Sequence, residues 1–300
     1  MTKKVLIIGG KGFLGTNVAR ALIKLGYNVD LLCKKKKNFK RLKNTNYIFC
    51  DICNKKDLKK KIDNNYEYVI NFAGNIDHKN TQQTYSTHFI AIKNILEILK
   101  KRKIKLFIQA GSCLEYGKNK SPQKEKERCR PISQYGKSKY YLSKYLIKNK
   151  KKFQFKFIIL RLYQVYGPYQ KKDRLIPIVI DSCLQNKNFN CTEGNQERDF
   201  LYIDDLTTLI KKMLNRKKIN SNIYNVGSGN PIKVRNVICK IRNIISKGNP
   251  KFGAIKMRKD EVKFLYPDIK KVKKEFKWSP KVNISEGLKK TIKFYENKKK

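Results

Sequence analysis

Tyr135-Gly-Lys-Ser-Lys139 sets a phenol and an ammonium four residues apart, a spacing that puts both on one face of a helix. A free tyrosine, with a pKa of about 10, is a poor base at neutral pH, but a nearby cation favours the phenolate. Tyr135 could then take a proton from a carbinol, or return one, while a hydride moves to or from a nicotinamide. The spacing alone is not diagnostic, since Tyr140 and Lys144 repeat it in a chain with 71 Lys and Arg. Upstream, Leu106 to Ala110 reads as a strand running into Gly111-Ser112-Cys113-Leu114-Glu115-Tyr116-Gly117. A serine at the carboxyl end of a strand can hydrogen-bond a substrate oxygen, or it can simply terminate the strand. Near the start of the chain, Val5 to Ile8 read as a buried strand that leads into Gly9, Gly12 and Gly15. The first glycine would permit a tight turn, the second a close approach of backbone to ligand, and the third the packing of helix on strand. The free N–H groups at Gly12-Phe13-Leu14-Gly15 would then face a pyrophosphate. The rival reading is a turn in some other α/β unit.

The elements that must position these groups alternate. Strands are predicted at Asn28 to Cys33, Tyr47 to Phe49, Tyr68 to Phe72 and Phe155 to Leu162, with helices near 81–101 and 133–149. Strands alternating with helical patterns imply βαβ units, hence an α/β fold with a Rossmann-like doubly wound parallel sheet. Beyond Gly167-Pro168 the elements shorten and turns multiply, which predicts a smaller mixed C-terminal substrate lobe. The boundaries read as 1–167, with 200–227 returning, for the nucleotide-binding domain, and 168–199 with 228–300 for the lobe. In open α/β sheets ligands lie beyond the carboxyl ends of the strands, so the lobes are expected to meet there.

Composition narrows the function classes. The formal charge of +48 alone suggests a polyanion partner. The lysines, however, occur in nearly every segment and accompany abundant Asn and Ile, the pattern of a coding bias, and this argues against nucleic acid. The eight cysteines are scattered, and Cys50 and Cys53 lack a second pair or a histidine cluster to complete a zinc site. Reduced thiols and no metal are expected. No apolar run approaches the roughly 18 to 20 residues that span a bilayer, and the N-terminus lacks the layout of a signal peptide. A cytoplasmic protein without membrane contact is the expectation.

A glycine loop, a strand-end serine and Tyr-x-x-x-Lys occur in the order shown by the extended short-chain dehydrogenase/reductase family. Over nearly its whole length the chain resembles that family, in particular its nucleotide-sugar epimerases, dehydratases and 4-ketoreductases. The resemblance implies Ser112, Tyr135 and Lys139 as a catalytic triad, with Lys139 also bonding the nicotinamide ribose. It implies Asp51 and Ile52 at the adenine, and Phe72, Ala73 and Gly74 lining the cofactor. Later landmarks also match: Arg161 to Pro168, Arg198 to Asp205, Asn225 to Gly229 and Trp278 to Pro280. Arg198 and Arg258 correspond to positions that hold the nucleotide diphosphate, a task suited to the arginine fork. A homodimer through the helices near 81–101 and 133–149 is the family expectation.

The departures from the pattern sharpen the expectation. Where NAD-using members place an acidic residue for the ribose 2′-hydroxyl, this chain has Cys33 followed by Lys34 to Lys37. Lysines would attract a 2′-phosphate, so NADP(H) is favoured, with NAD(H) as the alternative. The dehydratases carry an Asp-Glu pair directly after the serine, whereas Cys113-Leu114 cannot transfer that proton, and Glu115 should point elsewhere. Gln164 replaces an Asn near the substrate phosphates, and His88 an Asn behind the active site. The leading expectation is an NDP-4-keto-deoxysugar reductase of surface-polysaccharide sugar biosynthesis, most like the CDP-abequose and paratose synthase group. The alternatives are an NDP-hexose 4-epimerase with bound NAD and, from another class, a non-catalytic nucleic-acid-binding family member.

Overall fold

The computed structural model describes residues 3–34, 41–62, 65–74, 80–257 and 261–299. The chain forms two compact units, one within 1–119, 125–162 and 209–224, the other within 120–124, 163–208 and 225–300.

The first unit is built on a sheet whose strands are β1 (Lys4–Ile8), β2 (Asn28–Cys33), β3 (Thr45–Phe49), β4 (Tyr68–Asn71), β5 (Leu106–Ser112) and β6 (Lys156–Leu162). They lie in the order β3-β2-β1-β4-β5-β6, each pair parallel, and a seventh strand, Asn222–Val226, flanks β6. The order reverses between β1 and β4, the point at which such sheets open a crevice at their carboxyl edge. Val5 to Ile8 are fully buried. A strand covered on both faces has no reason to alternate polar and apolar residues, which is why it reads as a continuous aliphatic run.

Helices α1 (Phe13–Ile23), α2 (Lys55–Lys61), α3 (Thr81–Tyr85), α4 (Ala91–Leu99) and α5 (Gln134–Lys148) connect these strands. On α4, Ala91, Ile92, Ile95, Leu96 and Leu99 form one buried stripe, packing with Leu142 and Leu146 of α5 against Phe107, Phe157 and Ile159 of the sheet. The helix expected over 81–101 contains a wider π turn at Ser86–Ile90 between α3 and α4, a distortion often found at functional sites. Helix α5 begins where the Ser133 hydroxyl accepts the Gly136 N–H. Its buried face is Gly136, Ser138, Lys139, Leu142, Ser143 and Leu146. Lys139 therefore occupies a position where the helix period calls for an apolar residue.

The second unit carries a mixed sheet. Glu197–Tyr202 pairs antiparallel with Pro231–Lys233 and parallel with Phe264–Leu265 and Gln164–Tyr166, and a separate pair joins Asn188–Asn190 to Asn249–Lys251. Its turn at 227–229 is fixed by buried Asp199, whose carboxylate accepts from the Ser228 and Gly229 N–H groups. Among the described residues no helix is long and apolar enough to cross a membrane. No group of His, Cys, Asp and Glu suited to a metal ion occurs among them, and all eight cysteines are free.

Candidate active site

Gly9 has φ +79, and a Cβ there would lie 2.8 Å from the Ala73 nitrogen, so the turn after β1 rests directly on the exit of β4. A Cβ on Gly15 would approach the Gly9 carbonyl to 2.5 Å, which is what lets α1 start so close to the turn. A Cβ on Gly12 would meet only the Gly9 carbonyl, at 3.2 Å. That side of the turn is open, and the first turn of α1 has neither a side-chain cap nor a carboxylate. Backbone N–H groups at an uncapped helix start suit a diphosphate, so the cradle fits a dinucleotide.

At the end of β2 the Cys33 thiol is buried. Burial pushes its pKa up, and the Lys11 N–H of the glycine turn works against that rise. No carboxylate stands at 33 or 34. The Lys34 ammonium instead pairs with Asp51 at 3.1 Å. Burial opposes ionisation of Asp51, but the Cys53 N–H, at 3.0 Å, and Lys34 outweigh it and leave its pKa below the usual value. Ile52 beside it is buried. Lys35 to Lys37, which the reading of the cofactor also used, lie outside the described residues.

The exit of β4 is held tightly. The Phe72 N–H donates to the Ile8 carbonyl at 2.9 Å and the Ala73 N–H to Asn71 Oδ1 at 3.0 Å. Gly74 packs against His88, whose imidazole fills the space a Cβ at 74 would need. The same imidazole, buried within the π turn, meets the Tyr135 ring edge to face, 4.9 Å between centroids at 87°.

Ser112 is the last residue of β5 and is buried. Its hydroxyl oxygen accepts the Leu114 N–H at 3.2 Å while Glu115 Oε1 accepts the Ser112 N–H at 2.9 Å, a capping box on the short turn Cys113–Glu115. Of the two alternatives for Ser112, the structure shows the one in which it ends the strand, and its own O–H is left to donate. Glu115 is fully buried, and its other oxygen accepts from Arg161 Nε at 3.1 Å. Both of its oxygens are thus taken, one by the Ser112 N–H and the other by Arg161.

Tyr135 is half-buried, and the Lys139 ammonium lies 5.7 Å from its ring centroid. Lys139 is buried and donates to the Ala110 carbonyl at 2.8 Å. Burial lowers its pKa to about 8, with the Glu115 charge opposing the fall. The competing pair differs in kind, because Lys144 is exposed to water. Gly136 explains how α5 reaches the Ser112 turn: a Cβ there would lie 2.5 Å from the Leu114 carbonyl. On an open helix Gly→Ala gains about 1 kcal/mol. Here Gly136→Ala is expected to lower both the unfolding midpoint and turnover, measured by thermal melts and steady-state kinetics; a more stable, equally active variant would contradict this packing.

In the second unit Gln164 is exposed, whereas Arg198 is buried, donating to the Glu197 and Lys263 carbonyls and pairing with Glu261. Arg258 lies outside the described residues. The first unit gathers residues to which the sequence reading gave no place in the site: Asn71, Gln109, Gly136 and the Glu115–Arg161 pair. Each left a trace in the sequence, as a polar residue in an apolar strand, a glycine inside a helix, or an acid at a strand end with an arginine in the neighbouring strand.

Residues 5–227 match the NAD dependent epimerase/dehydratase family. A Methanocaldococcus jannaschii protein with the provisional name UDP-glucose 4-epimerase is 30% identical over 308 residues, covering 98% of each chain. The CDP-abequose synthase of Salmonella muenchen is 28% identical over 310 residues, covering 99% of each. Among solved structures, the UDP-glucose 4-epimerase of Thermotoga maritima, determined with UDP-glucose, aligns with a TM-score of 0.92 at 25% identity over 99% of this chain and 100% of its own.

Proposed function

The chain belongs to the NAD dependent epimerase/dehydratase family, and from that premise we propose that it is a nucleotide-diphosphate-hexose 4-epimerase working by reversible hydride transfer at C4. One observation carries the reading. The buried Lys139 ammonium lies 5.7 Å from the centroid of the half-buried Tyr135 ring, an arrangement suited to moving the proton of a single hydroxyl, while Cys113 and Leu114 stand where elimination would need an acid and a base and Glu115 is committed to Arg161. The relatives named as 4-epimerases support this over the reductase expected from the sequence.

Tyr135, as phenolate, takes the proton of the 4-hydroxyl and returns it to the same oxygen once C4 has been reduced from its opposite face. The Lys139 ammonium stabilises that phenolate, since opposite charges held close in a low dielectric favour the ionised form. Ser112 donates its O–H to the same 4-oxygen. A bound nicotinamide would supply acceptance and return of the hydride. Gly9, Gly12, Phe13, Leu14 and Gly15 would hold its pyrophosphate, Cys33, Lys34, Asp51 and Ile52 its adenosine, and Phe72, Ala73 and Gly74 its other half. Gln164, Arg198 and Arg258 are assigned to the sugar nucleotide's diphosphate. The reading includes a cytoplasmic setting, in keeping with free cysteines, and a homodimer through α3 to α5, where Ile90, Tyr141 and Ile147 are 39, 42 and 50% exposed.

A second reading, an NADP(H)-dependent 4-ketoreductase, is favoured by the end of β2, where Cys33 and Lys34 replace a carboxylate. The two separate in one assay. Purified protein is given UDP-glucose without added cofactor, and its bound dinucleotide is identified by mass. Appearance of UDP-galactose with retained NAD is expected; no epimerisation together with exchangeable NADPH would transfer the assignment to the reductase.

A further inference from the structure

β4 and β5 pair in a register that sets Asn71 beside Gln109, and both side chains are buried. A directed chain of hydrogen bonds runs through them. The Ala73 N–H donates to Asn71 Oδ1 at 3.0 Å, Asn71 Nδ2 to Gln109 Oε1 at 2.8 Å, and Gln109 Nε2 to the Ala110 carbonyl at 2.7 Å. The Lys139 ammonium donates to that same carbonyl at 2.8 Å. A backbone N–H can only donate and a carbonyl can only accept, so the two fixed ends orient both amides between them. The oxygen's two lone pairs are shared between Gln109 and Lys139.

We propose that Gln109 is a positioning residue for the proton-transfer pair: its amide, held by Asn71, fixes the Ala110 carbonyl on which the Lys139 ammonium is anchored. The inference rests on the reading of Tyr135 and Lys139 as that pair. Neither amide is charged, so their contribution is geometric and dipolar. Among the described residues, the titratable groups that reach Lys139 are Glu115, from the turn after β5, and Tyr135 on its own helix. Anchoring matters because a displacement of about 1 Å of a catalytic group can cost roughly 10²-fold in rate. The chain also begins at Ala73, on the strand end assigned to the cofactor, so one hydrogen-bonded path references the ammonium to that strand end.

The test uses the whole protein in three forms: the parent, Gln109→Met and Gln109→Glu. Each is followed by kcat and KM from about pH 6 to about pH 9, by thermal unfolding, and by the titration of the Lys139 Cε resonance in lysine-labelled protein, assigned with Lys139→Arg. Methionine keeps the volume but cannot donate, and kcat should fall roughly tenfold at every pH with KM within about twofold. In the glutamate variant the new carboxyl, while protonated, can accept from Asn71 and donate to Ala110 as the amide does. Once ionised it can no longer donate, and it attracts the ammonium. Gln109→Glu should therefore run near the parent rate at the acid end and fall to the rate of Gln109→Met at the alkaline end, with the Lys139 titration raised by about one pH unit. A variant-to-parent ratio that is flat with pH, with Lys139 unshifted and only the melting temperature changed, overturns the proposal. If no sugar nucleotide is turned over by any form, a shifted Lys139 titration still supports the anchor and counts against the assigned reaction instead.

Discussion

Tyr135→Phe should abolish turnover, by roughly 10² to 10⁴-fold, the range that a positioned proton-transfer group contributes, while cofactor and sugar-nucleotide affinity change less than about twofold. The substitution is narrow. The ring keeps its edge-to-face contact with His88, 4.9 Å between centroids, so α5 and the π turn have no reason to repack, and only the hydroxyl leaves. Lys139, already anchored on Ala110 at 2.8 Å, remains in place but has no phenolate to stabilise. Steady-state rates and calorimetric titration with the dinucleotide and with UDP-glucose check both halves. A phenylalanine variant retaining more than about a tenth of the parent kcat would remove Tyr135 from the mechanism.

Glu115→Gln is expected to have the largest effect on stability. The carboxylate is fully buried, accepts the Ser112 N–H at 2.9 Å and Arg161 Nε at 3.1 Å, and the Arg161 guanidinium lies 4.5 Å from the Tyr116 ring centroid. Removing its charge leaves a buried guanidinium without a counterion, a change that costs about 3–5 kcal/mol. Paired apolar substitution, Glu115→Leu with Arg161→Met, should recover most of that loss, because it removes both desolvation penalties together. Denaturant unfolding of the parent and the single and double variants decides the matter. A single variant within about 1 kcal/mol of the parent would mean that water reaches the pair.

The sheet was legible because β1, β4 and β5 are buried almost throughout and so read as short, mostly apolar runs. The boundaries were less so: β5 continues past Ala110 to Ser112, since glycine and serine carry no hydrophobic signal although the ladder to Leu162 persists. The candidate site was legible where its residues recur at fixed spacing, as in Tyr135 and Lys139. It was not legible where its parts meet only across the sheet. Nothing in the order of residues joins Asn71 to Gln109, which are 38 positions apart, until β4 and β5 are placed in register. The π turn at Ser86–Ile90 was likewise hidden, because one extra residue in a turn barely disturbs the apolar period of α4. The reading of the basic strand end gave a reductase, whereas the named relatives lean to epimerases; a cofactor preference does not by itself specify what happens to the hydride afterwards.

The contact between Gly74 and His88 also ties the exit of β4 to the ring of Tyr135. The imidazole fills the space that a side chain at 74 would need, so a residue larger than glycine there has room only if the His88 ring turns away. That ring also meets Tyr135 edge to face, and a substitution at 74 is therefore felt at the phenol through a side chain that belongs to neither.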